Sequence, residues 1–141
     1  MFLPYRIVQT PNILVIVYEG DLPRQIHLDG RPHPKDWDST YVGHSVGRWE
    51  GDELVVDTVG FNDKTWIDIA GHPLTDKLHV TERYRRPDLG HLEIQITIED
   101  PGAYKKAWTM RKTSELAPNS EEIGQYICTE NNQDVTHLVG K

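Results

Sequence analysis

Four side chains in this sequence are suited to acid–base chemistry. They are His44, Asp57, His79 and Glu82. An imidazole exchanges protons near neutral pH, and a neighbouring carboxylate orients the ring and stabilises its charged form. A pair made of His44 or His79 with Asp57 or Glu82 could therefore move a proton to and from a small organic molecule. We take these four as the candidate catalytic residues.

The hairpin GHSVGRWEGDELVVDTV is the element that must position two of them. Gly51 and Asp52 stand between two runs of alternating residues, as a two-residue turn requires. Pairing outward from Glu50 and Glu53 assigns every residue to one of two faces. The face typical of a core carries Ser45, Gly47, Trp49, Leu54, Val56 and Thr58. The other carries His44, Val46, Arg48, Val55, Asp57 and Val59.

The second of these faces has two interpretations. Valines between His, Arg and Asp fit the lining of a partly wet pocket better than an ordinary solvated surface. Alternatively, Arg48 and Asp57 form a plain cross-strand ion pair, which contributes only a few tenths of a kcal/mol. We expect a pocket lined by His44, Arg48, Asp57 and, if it points inward, Glu82.

The second hairpin, around the turn RPDLG, has a register that the sequence leaves open. A four-residue loop would turn the odd-numbered residues of its first strand toward the isoleucines of the next. A three-residue loop would turn Val80, Glu82 and Tyr84 toward them and bury more apolar surface. In that register Glu82 is either a candidate acid or base or the structural partner of an arginine.

A long segment, GFNDKTWIDIAGHPLTDKLH, joins the two hairpins and is rich in Asp, Trp and His. Segments of this length in a small domain are often functional. We expect residues 63–79 to form a lid that brings binding groups to the candidate catalytic residues. The candidate substrate-binding residues are Arg48, Asp63, Trp66, Asp68, His72 and Tyr84.

Seven histidines also raise the alternative of a mononuclear metal site on His44, His72 and His79. The spacing lacks the HExxH pattern of a helical zinc site and any HxH pair on a strand. The sequence therefore predicts no metal ligands and no cofactor. The other histidines, at 27, 33, 91 and 137, fall in turns or at outward positions and are expected to be solvated.

Composition limits the classes of partner. The 141 residues suit a single domain over 1–141, and 22 acidic against 15 basic residues give a net charge of −7. That charge disfavours nucleic acid and anionic membranes, so the expected partner is a small-molecule ligand. Open sheet edges make a homo-oligomer possible. Cys128 is the only cysteine, which excludes an intramolecular disulfide.

The pattern of the whole chain predicts an all-β fold. Short β-branched runs recur at roughly ten-residue spacing between Gly, Pro, Asn and Asp. We expect a small antiparallel β-barrel of the calycin or lipocalin type, or a sandwich. The predicted strands cover 5–10, 13–19, 24–29, 42–49, 53–59, 78–86, 91–99, 103–113 and 123–129.

Several motifs together resemble a family signature. They are IVQTPN, DGRPHP, GHSVGRWEGDELVVDTVGFNDKTWIDIAGHPLTDKLHVTERYRRPD, IEDPGAY and HLVGK, which span most of the chain. They are similar to those of a widespread, uncharacterised family of bacterial proteins. Members of that family are often longer at the N-terminus and often exported, so the resemblance implies a soluble periplasmic or extracellular protein. It brings no activity and no site residues with it.

These observations lead to one functional hypothesis and two alternatives. The first is a small-molecule enzyme, a lyase, isomerase or hydrolase, that uses a His and carboxylate pair on a sugar or an aromatic compound. The second is a noncatalytic β-barrel in which the same groups only bind a ligand. The third is the mononuclear metal site.

Overall fold

The computed structural model describes residues 4–118 and 122–124, and the regular elements within them are eight β-strands. They are β1 (Tyr5–Gln9), β2 (Ile13–Tyr18), β3 (Arg24–His27), β4 (His44–Glu50), β5 (Glu53–Val59), β6 (His79–Arg85), β7 (His91–Glu99) and β8 (Trp108–Glu115). All eight belong to one sheet in the order of the sequence, and the sheet curls into a half-barrel. The prediction of an all-β, barrel-like fold is confirmed.

One pair of strands departs from the antiparallel pattern. β3 and β4 run parallel, while every other neighbouring pair is antiparallel. A parallel pair needs a crossover of about a dozen residues or more, because the chain must return to the same end of the sheet. Residues 28–43, rich in Pro and Asp, form that crossover. The half-barrel is therefore mixed rather than purely antiparallel.

The core lies on the face of the sheet that the curl encloses, which we call the inner face. Successive side chains of a strand point to opposite sides, so alternate residues project to this face. Its central cluster consists of Leu14, Ile16, Ile26, Leu54, Val56, Tyr84 and Ile94. Burying a side chain of this size contributes about 1.5–3 kcal/mol, so the cluster holds five of the eight strands together.

Both hairpins adopt an anticipated register. In the first, His44 pairs with Val59 and Glu50 with Glu53 across a turn in which Gly51 has a positive φ of 65°. In the second, Glu82 pairs with Ile96, as the three-residue loop requires. Glu82 therefore points into the core, which settles the open alternative in favour of the register that buries more apolar surface.

The long connection between β5 and β6 closes one end of the inner face. Its Leu74 and Leu78 pack with Val80 of β6 and Ile98 of β7. These contacts are apolar, and the two strand residues belong to the inner face. The expected lid over the opposite face, which carries Asp57, is therefore wrong: leucines in the connection bury themselves in the core instead.

Asp100 ties this connection to the turn after β7. Its buried carboxylate accepts hydrogen bonds from the Thr75 backbone N–H at 2.6 Å and the Thr75 hydroxyl at 2.7 Å. A Cβ at Gly102 would lie 2.6 Å from Thr75 Oγ1, so the approach leaves room only for glycine. The strand predicted at 103–113 begins only at Trp108, because this turn occupies the residues before it.

Trp49 is a second departure from expectation. The register places it on the inner face, but its side chain is 54% exposed. It stands beside the turn at Gly51, where the last residues of β4 are exposed, although its partner Leu54 is buried in the core. The face of a strand residue therefore does not decide its burial by itself.

Some predictions concern residues beyond the described ranges. Of the expected strand at 123–129, only 123 and 124 are described, and Cys128 and His137 lie outside as well. The described part of the chain contains no helix long and apolar enough to cross a membrane.

Candidate functional site

Three of the four candidate catalytic residues meet on the outer face of β4, β5 and β6. Asp57 pairs with Val46 of β4 and Thr81 of β6. His44 and His79 stand two residues before those partners, so both lie diagonally across from Asp57 on the same face. Diagonal neighbours of a sheet are close enough for long side chains to touch.

A continuous hydrogen-bonded chain runs through these residues. Asp57 Oδ1 lies 2.5 Å from His79 Nε2, and Asp57 Oδ2 lies 2.9 Å from His33 Nε2. The other ring nitrogen of His33, Nδ1, lies 2.8 Å from His44 Nδ1. We call His44, His33, Asp57 and His79 the histidine chain.

The hydrogen bonds determine where each ring carries its proton. An ionised carboxylate only accepts hydrogen bonds, so the Nε2 atoms of His33 and His79 must both donate to Asp57. In neutral His33, Nδ1 is then an acceptor, and His44 donates to it from its own Nδ1. The lone pairs that remain for other chemistry are those of His79 Nδ1 and His44 Nε2.

Aromatic rings enclose the His44 end of the chain. The His27 ring stacks on His44 at 5.2 Å between centroids, and the Trp37 ring meets it edge-on at 4.8 Å. The His33 ring completes the enclosure at 5.0 Å. His44 is only 5% exposed as a result, so this end of the chain is sealed from solvent.

The other end of the histidine chain, at His79, is open to solvent. The His79 side chain is 39% exposed, and its Nδ1 lies 4.0 Å from Glu99 Oε2. A protonated His79 would therefore stand between the carboxylates of Asp57 and Glu99. A molecule arriving from solvent can reach His79 but not His44.

Burial and hydrogen bonding shift the pKa values of two members of the histidine chain, His44 and Asp57. Burial lowers the pKa of His44, and the nearby His33, His27 and Arg31 lower it further. Burial alone would raise the pKa of Asp57, but hydrogen bonds from His79 and His33 outweigh that effect and lower it. At neutral pH, His44 is therefore neutral and Asp57 is ionised, as the hydrogen-bond directions require.

Glu82 and Tyr84 lie on the opposite face of the sheet, away from the histidine chain. Arg24 donates to Glu82 Oε1 at 2.9 Å and also to Oε2, and the Tyr84 hydroxyl donates to Oε1 at 2.9 Å. The expected pocket that combined Glu82 with His44 and Asp57 is wrong. The alternative in which Glu82 is the partner of an arginine is the one observed.

Arg24 is held by two further partners. Its Nε donates to Ser45 Oγ at 3.1 Å, and its Nη2 donates to Thr58 Oγ1 at 2.7 Å. Arg24, Glu82, Tyr84, Ser45 and Thr58 form what we call the interior cluster. Each charged atom of the pair has hydrogen-bonding partners, which a buried ion pair needs to offset its desolvation.

The remaining candidate binding residues do not join the histidine chain. Arg48 points to the same outer face but is exposed and donates to Glu50. Asp68 and His72 bind each other within the long connection, with 2.7 Å between Oδ2 and Nδ1. The other two, Asp63 and Trp66, are exposed on that connection.

The crossover between β3 and β4 contributes two side chains that were not among the candidate site residues, His33 and Trp37. His27 and His33 were expected to be solvated. All three instead contact His44. One signal was present: Pro32 and Pro34 flank His33 and restrict its backbone, which is typical of a side chain held in a set position.

The described residues bring no three His, Cys, Asp or Glu side chains together as a metal-ligand set. In particular, His72 binds Asp68, while His44 and His79 are separated by His33 and Asp57.

Comparisons with protein-family models, curated proteins and solved structures found no match to this chain.

Proposed function

We propose that the protein is an enzyme in which His79 exchanges a proton with a small organic substrate at the outer face. The observation that carries the proposal is the bridging of His79 and His33 by one carboxylate, Asp57, at 2.5 and 2.9 Å. This geometry leaves His79 Nδ1 with its lone pair at the open end of the chain. A carboxylate that orients an imidazole in this way is a common component of acid–base sites.

Each member of the chain has a distinct role in the proposal. His79 is the catalytic residue: its Nδ1 takes a proton from the substrate, and the resulting imidazolium is stabilised by Asp57. The electron pair left behind forms an enolate-like anion, expels a leaving group or, for an abstracted water proton, attacks the substrate. His33 and His44 are positioning residues, since His33 binds the second oxygen of Asp57 and His44 holds the ring of His33.

The surroundings of His79 favour a hydroxylated substrate such as a sugar. Thr81, Thr97 and Thr109 pair across β6, β7 and β8 on the same outer face as His79. The hydroxyls of Thr97 and Thr109 lie 3.0 Å apart. A row of hydroxyls beside an acid–base pair can hold a polyol through exchangeable hydrogen bonds, whereas an aromatic substrate would use Trp37, which is 46% exposed.

The test is proton exchange with solvent. The protein is incubated in D₂O with a panel of sugars, sugar acids and small aromatic compounds, and deuterium uptake and turnover are followed by NMR and mass spectrometry. We expect Asp57→Asn to lower the rate about 10²–10⁴-fold, because the amide can donate to His79 Nε2 and so place the proton on the wrong nitrogen. The Asp68→Asn variant is the matched control, since it alters a separate Asp–His pair.

Nitrogen-15 NMR of the histidine rings tests the same proposal without a substrate. We expect wild-type His79 at neutral pH to carry its proton on Nε2, and the Asp57→Asn variant to carry it on Nδ1. A wild-type ring protonated on Nδ1 would contradict the proposed role of His79. Equal exchange rates in wild type and Asp57→Asn for a substrate that the panel identifies would contradict it as well.

A further inference from the structure

A groove on the outer face adjoins the row of Thr81, Thr97 and Thr109, which we call the threonine row, on the side away from His79. Its volume is about 340 Å³, within the range of roughly 300–1,000 Å³ of sites for small organic ligands. Its lining includes Glu53, Arg83, Arg85, Glu93, Gln95 and Arg111. Each of these lies an even number of residues from an outer-face residue of its own strand, so all project to that face. The groove and the histidine chain therefore share one surface.

The two carboxylates of the lining each face an arginine. Glu53 accepts a hydrogen bond from Arg83 at 2.9 Å. Glu93 Oε2 lies 3.8 Å from Arg85 Nη1. A cationic ligand would have to displace one of these arginines, so the groove does not favour such a ligand.

Arg111 of β8 is an arginine of the lining that has no carboxylate partner among the described residues. Within that part of the chain it donates from Nε to the neutral Gln95 Oε1, at a long 3.3 Å. Its side chain is exposed, and the terminal nitrogens of a guanidinium form a planar fork that a carboxylate accepts with both oxygens. An anion beside Arg111 would therefore gain charge-assisted hydrogen bonds without breaking an ion pair.

The register of the sheet sets the distance from this arginine to the histidine chain. Arg83 pairs with Gln95 and Gln95 with Arg111, so the three form a row across β6, β7 and β8. At about 3.3 Å per residue, this row is ~7 Å from the threonine row and ~13 Å from the position of His79 along β6. The longer distance exceeds one sugar ring, so a sugar that contacts both His79 and Arg111 must be an oligosaccharide.

We propose that the groove binds a carboxylate-bearing sugar unit, so that the substrate is an acidic oligosaccharide. The carboxylate accepts hydrogen bonds from Arg111, the threonine row binds hydroxyls of the chain, and another sugar unit reaches His79. The bound carboxylate is too far from His79 to take part in proton transfer, so Arg111 selects the substrate and does not act in the reaction. The inference rests on the proposed function for the position of the reacting sugar and adds the charge and length of the substrate.

The first experiment compares ligands that differ only in charge. Trisaccharides of galacturonic, glucuronic and mannuronic acid, each as the free acid and as its methyl ester, are titrated by calorimetry and saturation-transfer NMR. We expect a free acid to bind about tenfold more tightly than its ester, as a charge-assisted contact provides. We also expect it to bind more tightly than its monosaccharide, and more tightly than a glutamate tripeptide, which carries the charges without the ring hydroxyls.

Three variants locate the contacts. Arg111→Gln should weaken the free acid about tenfold and leave the ester unchanged. Thr109→Val removes a hydroxyl from the threonine row and should weaken acid and ester equally. Arg86→Gln alters an exposed arginine outside the groove lining and is the matched control. All three positions are exposed, and circular dichroism checks that each variant is folded.

The outcomes separate this inference from the proposed function. Equal binding of every acid and its ester, no binding of any trisaccharide, equally tight binding of the glutamate tripeptide, or binding unchanged by Arg111→Gln would overturn the acidic substrate. Asp57→Asn should leave binding of the acid nearly unchanged while it lowers proton exchange. Loss of binding in Arg111→Gln with unchanged exchange in Asp57→Asn would therefore contradict the role of His79 alone. Turnover of a neutral sugar that Arg111→Gln does not affect would contradict the role of the groove alone.

Discussion

Asp57 and Glu82 show how two carboxylates in adjacent strands acquire different roles. Asp57 pairs with Thr81 and Glu82 with Val56, so the two acids stand one position apart on neighbouring strands and point to opposite faces. Glu82 meets a guanidinium inside the core, whereas Asp57 meets two imidazoles at the outer face. The two carboxylates are neighbours within the sheet, but they lie on opposite sides of it.

The difference lies in the permanence of the partner's charge. An arginine stays protonated at all ordinary pH values, so its pair with Glu82 is a constant feature of the folded protein. Histidines change charge between about pH 5 and 8, so the hydrogen bonds around Asp57 can respond to protons. The interior cluster is therefore suited to structure, and the histidine chain is suited to proton transfer.

The largest expected effect comes from breaking the interior pair. Glu82→Ala leaves the guanidinium of Arg24 buried without its counter-charge, which typically costs about 3–5 kcal/mol of folding free energy. Urea unfolding followed by tryptophan fluorescence measures this loss. Glu50→Ala is the control, since Glu50 binds Arg48 and Arg83 at the exposed outer face and its removal should have a much smaller effect. Similar losses in the two variants would remove the distinction between the two regions.

A smaller effect is expected from Tyr84→Phe. The substitution keeps the ring in the core but removes the hydroxyl that donates to Glu82. A hydrogen bond to a charged group contributes about 1.5–3 kcal/mol, and Arg24 still holds the carboxylate, so we expect a loss near the lower end. Unfolding in urea again gives the value. A loss as large as that of Glu82→Ala would mean that Tyr84, and not Arg24, is the main partner.

The smallest effect is the pH dependence of stability, which should come from the outer face. The pKa of His44 is lowered from 6.5 in the folded protein, so the unfolded chain binds the proton first as the pH falls. The contribution of His44 is therefore fully present above its unfolded pKa and is lost as the pH decreases below it. His44→Gln should flatten the dependence of the urea midpoint between about pH 7.5 and about pH 5.5.

His91 supplies a control of opposite sign. Hydrogen bonding to Asp88 raises the pKa of His91, so its contribution is present below the unfolded pKa and is lost as the pH rises through the folded pKa. His91→Gln should therefore make stability fall slightly more steeply toward acid pH, where His44→Gln makes it fall less. Identical slopes for wild type and His44→Gln would contradict the lowered pKa of His44.

The sequence by itself determined the local geometry of the sheet. Side chains alternate with a period of two, so the turn at Gly51 and Asp52 assigned His44 and Asp57 to one face before any tertiary contact was known. The same period, with the preference for burying isoleucines, favoured the register that turns Glu82 inward. These relations hold between residues of the same hairpin, so the local pattern of the sequence is enough to predict them.

Only the tertiary structure decided which groups complete each site. His33 reaches Asp57 because residues 28–43 cross between parallel strands, and Arg24 reaches Glu82 from a strand 58 residues away. Trp49 shows the converse, since its face was predicted correctly but its side chain is 54% exposed. Loop paths and sheet curvature arise from the packing of the whole chain, so no local pattern of residues specifies them.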